Sequence, residues 1–345
     1  MKLLTLLSLI LIVFFKTGNL LSANNLFNVD NILLEKSNSS NKQLTNQAIQ
    51  EAFKKLNNRI LLKEDILKIS NLKLSSIKEL VAFYKISKDS NDKENKVSYS
   101  ITFDKNKIHN LFYEKGILYS DISDYEFYIL PILIRENQIY IFSNNYFYEN
   151  WKQSKKYDLI EFILPLENIE VIQKINITRS NLLNLDLNSL FEEFPDKNVA
   201  IALIEYSTDD KNKIYLKSRI QNKIFTKNLN IQKKEPKISN FKEQIILEIK
   251  EEIINLVKSQ NLIDIRTPSF LNARFDLDNK NNLAILNLKI NKIELIQNLL
   301  VQELNKNYVN LKIKYLGKLE KLKTQLKNEN INILFLNDQW VITIL

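Results

Sequence analysis

Two residue types are almost missing from this chain, and their scarcity limits what it can become. Cysteine does not occur, and glycine occurs three times in 345 residues. The chain can therefore form no disulfide, thiolate nucleophile or Cys/His zinc site, and it has no lipid-anchor cysteine. Phosphate-binding loops need clustered glycines, whereas Gly18, Gly116 and Gly317 are isolated. Nucleotide folds of that kind are excluded, and we expect no cofactor.

The first residues have the pattern of a secretory signal peptide. Met1 and Lys2 form a short positive start, and Leu3 to Phe15 form an apolar run. The run fits the roughly 7–15 residues of a signal core and falls short of the ~20 that span a bilayer. Leu21-Ser22-Ala23 offers a cleavage site. We predict a signal peptide over residues 1–23 and a periplasmic location. The alternatives are an uncleaved N-terminal anchor and a buried N-terminal helix.

The remainder of the chain has the composition of a soluble globular protein. Hydrophobic residues make up 45% of the sequence, which is enough to build cores, and no second apolar stretch after the signal is of spanning length. The net charge is +9, but the lysines are spread among the acidic residues. A surface that binds nucleic acid concentrates its charge on one face. We therefore expect no nucleic-acid partner.

Residues 24–120 are predicted to form an N-terminal α+β unit. A helical face is indicated by the spacing of Ile49, Ala52, Phe53, Leu56 and Ile60. An extended segment is predicted from Ile77 to Ser87, followed by a charged hairpin loop over 89–96. Alternating apolar residues predict a half-buried strand from Val97 to Phe103. Asp104 is predicted to cap a helix that ends at Gly116.

Residues 121–232 are predicted to form a middle α/β unit. The runs Tyr125–Ile134 and Leu159–Leu166 are almost unbroken in apolar residues, as is typical of strands covered on both faces. Gln138–Phe142 is predicted to pair with the first run. The remaining predicted elements are a helix over Leu182–Phe194, a buried strand over Val199–Tyr206, and a hairpin of Lys213–Arg219 with Lys223–Leu229.

A linker over Gln232–Ser239 is predicted to lead into a C-terminal α+β module, residues 240–345. Asn240 and Glu243 resemble a capping box before a long helix, whose predicted inner face is Phe241, Ile245, Ile249, Ile253 and Leu256. A turn at 278–281, a strand over 286–290, a helix over 293–304 and a strand over 309–315 follow. A helix over 319–326 and two final strands complete the module. The fold class predicted for the whole chain is α+β, with two or three small mixed helix/sheet modules in tandem.

The order of these elements, with the residues at their ends, resembles an exported bacterial family known as domain of unknown function 2066, of the alphaproteobacterial type. The likeness covers most of the chain after the signal. It rests on the strand from Val97 to Phe103, the segment Gly116 to Tyr119, the sequence Ile129-Leu130-Pro131, the residues Asn145, Phe147 and Trp151, the turn Pro165 to Ile169, and Tyr315, Gly317 and Trp340.

The chain departs from this family at several motif positions. Tyr146 and Phe147 stand where the family has Pro and Trp, and the Gly and Asp of its turn are replaced within Pro165 to Ile169. The resemblance implies a periplasmic location and a structural role for Pro131, Asn145, Phe147, Trp151, Pro165, Tyr315, Gly317 and Trp340. It implies no activity, cofactor or catalytic residue.

The inventory of reactive side chains is short. His109 is the single histidine, so a Ser-His-Asp triad would have to use it; we expect a partly exposed structural residue instead. Glu192-Glu193 and Asp209-Asp210 are adjacent acids that we expect on the solvated surface rather than in a glycosidase pair. The acids Asp264, Asp276 and Asp278 lack calcium-loop spacing and are expected in turns.

An aromatic cluster between residues 140 and 151 is the most distinctive local feature. Helical spacing places Phe147 and Trp151 on one face, where they are expected to be core. Tyr146 and Tyr148 need not be buried, and exposed aromatic residues favour contact with a protein or a sugar ring. We therefore name Tyr146 and Tyr148 as partner-contact candidates, beside the alternative that they serve packing.

These observations favour a non-enzymatic envelope accessory or interaction factor, whose partner would be a protein or another envelope component. One alternative is a periplasmic hydrolase that uses carboxylates alone, which requires a polar cleft with two converging acids. Another is a module that binds the cell wall or a glycan. An interaction protein should instead present an exposed apolar or aromatic patch.

Overall fold

The structure is a computed structural model that describes residues 26–36, 40–88, 96–122, 125–153, 160–207, 211–233, 238–277 and 282–345. The predicted signal peptide, residues 1–23, lies outside these ranges, as do most of the loop predicted over 89–96 and the turn predicted over 278–281. Within them, no helix is long and apolar enough to cross a membrane.

The described chain divides into two compact units. One contains residues up to 58, 68–118 and 264–345, and the other contains residues 59–67 and 119–263. The predicted boundaries at 24–120, 121–232 and 240–345 follow chain order and stay a prediction. In packing terms, parts of the first and third predicted segments belong to the same unit, as the 3.0 Å hydrogen bond from the Leu26 amide to the Glu294 carboxylate illustrates.

The first unit opens with a three-stranded antiparallel sheet of order β1-β3-β2. Its elements are β1 (Asn28–Glu35), α1 (Asn41–Ile60), α2 (Lys63–Ile69), α3 (Leu74–Glu79), β2 (Val81–Lys88), β3 (Lys96–Phe103) and α4 (Lys105–Lys115), of which α2 and the end of α1 extend into the second unit. The predicted apolar face of α1 is confirmed as buried, and its Phe53 ring lies 5.9 Å from the Phe103 ring of β3. The extended segment predicted from Ile77 begins later, because α3 runs to Glu79.

The helix α4 begins and ends as its sequence predicts. The Asp104 carboxylate accepts hydrogen bonds from the amides of Asn106 and Lys107, which satisfies two N–H groups of the first turn. Gly116 ends the helix with φ +61°, a left-handed conformation that strains residues with a side chain.

The second unit is built on a six-stranded mixed sheet of order β10-β9-β8-β5-β6, with β7 also paired to β5. Its elements are β4 (Tyr119–Ser120), β5 (Tyr125–Arg135), β6 (Gln138–Tyr140), α5 (Tyr146–Asn150), β7 (Ile160–Ile163), α6 (Ile169–Ile177), α7 (Leu187–Leu190), β8 (Asn198–Glu205), β9 (Lys211–Ile220), β10 (Lys223–Gln232), α8 (Ile238–Gln260) and β11 (Leu262–Ile263). Short 3-10 helices occupy Trp151–Gln153 and Arg179–Asn184.

Both faces of this sheet are covered, as the unbroken apolar runs predict. Successive residues of β5 alternate between two cores: Phe127 and Ile129 belong to one, and Leu130 and Ile132 belong to the other. The first core also contains the inner face of α8. The predicted capping box at Asn240 is wrong, because α8 already begins at Ile238.

The helix predicted over Leu182–Phe194 is wrong in extent. Leu182 to Asn184 end a 3-10 helix, and the backbone of Leu185 then leaves the helical region. The Asp186 side chain caps a separate one-turn helix, α7, by accepting from the amides of Asn188 and Ser189. Short polar side chains that bond to the nearby backbone thus interrupt a segment whose apolar spacing predicts a single helix.

The C-terminal part of the first unit is a five-stranded sheet of order β13-β14-β12-β16-β15. Its elements are β12 (Ser269–Asp276), α9 (Asn282–Ile290), β13 (Ile296–Leu304), β14 (Tyr308–Tyr315), α10 (Leu319–Asn328), β15 (Ile331–Leu336) and β16 (Gln339–Ile344).

Two predictions in this region are wrong. The predicted strand over 286–290 belongs to the helix α9, and the predicted helix over 293–304 is, from residue 296, the strand β13. Leu286 and Ile290 are four residues apart and buried, as on a helix, whereas the intervening Leu288 is 68% exposed. An apolar residue at every second position fits both a strand and a short helix, so periodicity alone did not separate them. The α+β class with small mixed sheets is nevertheless confirmed.

Hairpins in this glycine-poor chain turn on residues with side chains. The two-residue turns Glu136-Asn137, Gln221-Asn222 and Asn337-Asp338 all have positive φ at both positions. This is the backbone of a type I′ turn, which matches the twist of the flanking strands and usually takes Asn or Gly. Asparagine, which tolerates the left-handed region better than most residues, replaces glycine here.

Candidate functional site

Asn145 organises the aromatic cluster of the second unit. Its side chain is fully buried, and its Oδ1 accepts hydrogen bonds from the amides of Phe147 (3.1 Å) and Tyr148 (3.4 Å), which caps α5. Its Nδ2 donates to the carbonyl oxygens of Pro131 (2.8 Å), Tyr140 (3.1 Å) and Ile141 (2.8 Å). One side chain thus joins β5, the end of β6 and the start of α5.

Pro131 lies where the sheet leaves room for this amide. On one side of β5, residues 125–128 pair with β7 and residues 133–135 pair with β6. Pro131 falls between these two ladders, and a proline inside a sheet is tolerated where no strand needs its missing N–H. The Asn145 side chain supplies the hydrogen bond that a neighbouring strand would otherwise give to the Pro131 carbonyl.

The two candidate contact residues, Tyr146 and Tyr148, are each half-buried. The Tyr148 hydroxyl donates to the Pro165 carbonyl at 2.8 Å. The Lys242 ammonium lies 4.6 Å from the centre of the Tyr146 ring. Partial burial raises the pKa of both phenols. Part of each ring reaches solvent, and the partner contact stays a prediction.

The other residues named from the sequence lie in both units. Phe147 and Trp151 are fully buried in one core of the second unit. Tyr315 is buried at the end of β14, and Gly317 has φ +81°. Trp340 is half-buried on β16, with the Lys323 ammonium 5.0 Å from its ring centre.

Three of the acidic residues named from the sequence each pair with a basic side chain, and Glu193 is exposed. Glu192 pairs with Lys174 at 3.0 Å, Asp264 with Arg266 at 2.9 Å, and Asp276 with Arg274 at 2.7 Å. Asp209, Asp210 and Asp278 lie outside the described residues. Within the described ranges, no three His, Asp or Glu side chains lie close enough to hold a metal ion.

His109 is more deeply buried than its sequence position suggests. It is 7% exposed on α4, and its ring meets the edge of the Phe27 ring with 5.6 Å between centres. The expectation of partial exposure is therefore wrong. Burial, aided by the charge of Lys105, lowers the pKa of His109 to about 4.

A cavity of about 480 Å³ near α9 has the polar lining that a carboxylate hydrolase would need. Glu294 is the single carboxylate among its described lining residues. One of the Glu294 oxygens already accepts the hydrogen bond from the Leu26 amide. General acid–base catalysis by a carboxylate pair requires a second acid nearby.

The edge strand β2 carries the most exposed apolar surface of the three-stranded sheet. Tyr84 and Ile86 pair with Ile101 and Tyr99 of β3, and paired residues project from the same face. Ile101 and Tyr99 are buried, whereas Tyr84 is 47% and Ile86 50% exposed. The core face of the sheet is therefore left open along its last strand. On the opposite face, Phe83 is 53% exposed.

A groove of about 750 Å³ runs along this open strip. Its walls are α1, from Asn41 to Ile49, and β2, from Val81 to Ile86, with Lys78 of α3. We call it the β2 groove. Among the described strands β2 pairs with β3 alone, so alternate backbone N–H and C=O groups of β2 point toward the groove side.

The charged side chains among the described lining residues of the β2 groove are basic. Lys42 and Lys78 line it, and no Asp or Glu is among its described lining residues. Lys85 projects from β2 itself, on the same face as Phe83, with its ammonium 6.0 Å from that ring centre. The groove thus combines a strand edge, apolar side chains and ammonium groups.

Sequence reasoning missed this site. The segment Val81–Ile86 holds apolar residues on both faces of the strand, which in a central strand would indicate burial. Its position at the edge of the sheet, which makes those residues accessible, follows from strand order, and strand order is set by tertiary pairing.

No family model matches the chain, and no curated protein matches it. A solved structure of an uncharacterized protein is similar at 8% sequence identity with a TM-score of 0.17, over 41% of this chain and 99% of that one. A TM-score this low does not indicate a shared fold or function.

Proposed function

We propose that this chain is a non-enzymatic accessory protein of the bacterial envelope that binds another polypeptide by strand addition to β2. The observation that carries the proposal is the β2 groove. There the open edge of β2, with its exposed residues Tyr84 and Ile86, lies beside α1. Recognition of extended peptides by sheet edges uses main-chain hydrogen bonds for affinity and side-chain pockets for specificity.

The scarcity of catalytic groups supports the non-enzymatic part of the proposal. Three of the acids named from the sequence, Glu192, Asp264 and Asp276, pair with basic side chains, and Glu294 is the one carboxylate among the described residues that line the polar cavity near α9. The periplasmic location and the resemblance to domain of unknown function 2066 rest on the sequence patterns alone and form part of the same proposal.

The test uses purified protein and eight-residue fluorescent peptides in which Val alternates with Glu, Thr or Lys. At least one peptide should raise fluorescence anisotropy in a saturable manner. A copy of that peptide with N-methyl groups on alternate amides keeps its side chains but cannot extend the sheet, so its binding should be lost. No binding by any peptide, or equal binding after N-methylation, contradicts strand addition.

A matched pair of variants locates the binding. Ile86→Ser removes an apolar contact inside the β2 groove, and Leu33→Ser removes an apolar residue of similar exposure (60% against 50%) from β1, the opposite edge of the same sheet. We expect weaker peptide binding for Ile86→Ser and unchanged binding for Leu33→Ser. Equal loss in both variants places the peptide elsewhere.

A further inference from the structure

We infer that the strand added to β2 is an acidic segment of a partner protein, with apolar residues at every second position. This inference rests on the proposed function and concerns the chemistry of the ligand. It follows from the charge and the register of the β2 groove.

The positive charge of the groove favours a negatively charged ligand. Lys42 stands in the first turn of α1 and Lys78 in α3, and both line the groove. Glu79, the residue after Lys78, is exposed but does not line it. The groove is therefore positively charged, with no acid among its described lining residues, and it attracts a segment of negative charge. Opposite charges on neighbouring strands also stabilise pairing.

The register assigns positions to the apolar and acidic residues. Side chains of an added strand alternate between the two faces of the sheet, so every second one enters the groove between Ile49 and the pair Tyr84 and Ile86. Those positions favour Val, Ile or Leu. The intervening positions lie on the face of Phe83 and Lys85, where an acid can pair with the Lys85 ammonium.

The length of β2 sets the length of the segment. β2 has eight residues, and a strand rises about 3.3 Å per residue, so the edge spans roughly 26 Å. A ligand of about six to eight residues would use the whole edge. This is the length of a linear motif in a partner rather than of a folded surface.

The same lysines argue against a second copy of this chain as the ligand. β2 carries Lys85 and Lys88 and no acidic residue, so pairing of two copies would join two positively charged strands. Like charges on adjacent strands destabilise pairing, and lysines on edge strands are a common device against self-association. The groove therefore favours a different polypeptide of opposite charge.

The experiment compares the Val/Glu, Val/Thr and Val/Lys peptides on the full chain at about 0.05 M and 0.5 M salt. We expect the Glu peptide to bind about tenfold more tightly than the Thr peptide at low salt, with the gap narrowing at high salt, and the Lys peptide to bind most weakly. The variant Lys85→Glu should reverse this order, because it replaces the ammonium on the face that receives the acidic residues, whereas Lys55→Glu, on an exposed residue of α1 outside the groove, should not.

The outcomes separate the two claims. If the Glu and Thr peptides bind equally well and N-methylation abolishes the binding of both, strand addition is retained but the inference of an acidic ligand is overturned. Tightest binding of the Lys peptide overturns it as well. Absence of binding by all three peptides overturns the proposed function itself. Circular dichroism of each variant checks that the fold is retained.

Discussion

The side-chain amide of Asn145 donates a hydrogen bond to the Pro131 carbonyl oxygen, with 2.8 Å between the two atoms, at a gap in the six-stranded sheet. The same amide bonds two carbonyls at the end of β6, and the Asn145 Oδ1 caps α5. Because the residue is fully buried, no water replaces these bonds when the side chain is removed.

Replacement of Asn145 by Ala should therefore destabilise the chain by about 3–5 kcal/mol, since it leaves several buried polar groups without partners. Asn168→Ala is the matched control, because Asn168 also caps a helix but accepts a single bond, from the Glu170 amide at 2.8 Å, at a partly exposed site. Its loss should be about 1 kcal/mol. Urea unfolding measures both, and equal losses would show that the links to β5 and β6 contribute nothing.

A buried lysine should give the second unit an unusual alkaline pH dependence. The Lys250 ammonium donates to the Trp151 carbonyl at 2.8 Å and lies 5.4 Å from the centre of the Trp151 ring. Burial lowers the pKa of Lys250 to about 8, from its ordinary 10.5. Between these values the unfolded chain carries a proton that the folded chain lacks, so stability rises with pH across this window.

The measurement compares the wild type with Lys250→Met from pH 7 to pH 9.5 by chemical unfolding. Relative to the variant, the wild type should gain on the order of 1–3 kcal/mol over that range. Parallel stability profiles for the two proteins would contradict the low pKa of Lys250.

His109 should make the first unit sensitive to acid. Its pKa of about 4 in the folded chain lies below the ordinary 6.5, because burial disfavours the imidazolium. As the pH falls from 6.5 to 4, the unfolded chain takes up a proton that the folded chain does not, and stability is lost. His109→Gln cannot take up that proton, so the wild type should lose stability faster than the variant over this interval. Identical acid profiles would disprove the assignment.

Glycine should stabilise one hairpin turn and weaken the strand beside it. Asp338 has φ +61°, and Asp338→Gly creates the Asn-Gly pair that type I′ turns favour. We expect a gain of up to about 1 kcal/mol in the free energy of unfolding. Gln339→Gly, at the first residue of β16, should instead cost about 0.5–1 kcal/mol. Thermal unfolding compares the pair, and a loss at residue 338 would contradict the strain argument.

Local signals in the sequence were sufficient for several elements. Asp104 and Gly116 mark the two ends of α4, and alternation identifies β3, because a cap and a half-buried strand depend on residues close in sequence. The segment 286–304 was predicted in the wrong states, because its elements depend on pairing of β13 with β14.

The candidate site was less accessible from sequence than the fold class. Asn145 is named in the sequence, but its bonds to Pro131 and Ile141 come from packing of three elements. The exposure of Tyr84 and Ile86 depends on β2 being the edge of its sheet and on α1 leaving that edge open. Neither property has a local sequence signal.

Amide hydrogen exchange of β2 tests strand addition most directly. With the Val/Glu peptide at saturation, alternate amides within residues 81–88 should exchange more slowly, because they gain partners on the groove side, while β1, the other edge of the sheet, should be unchanged. Protection that is absent from β2, or equal at β1 and β2, would contradict the claim that this chain receives its partner as an added strand.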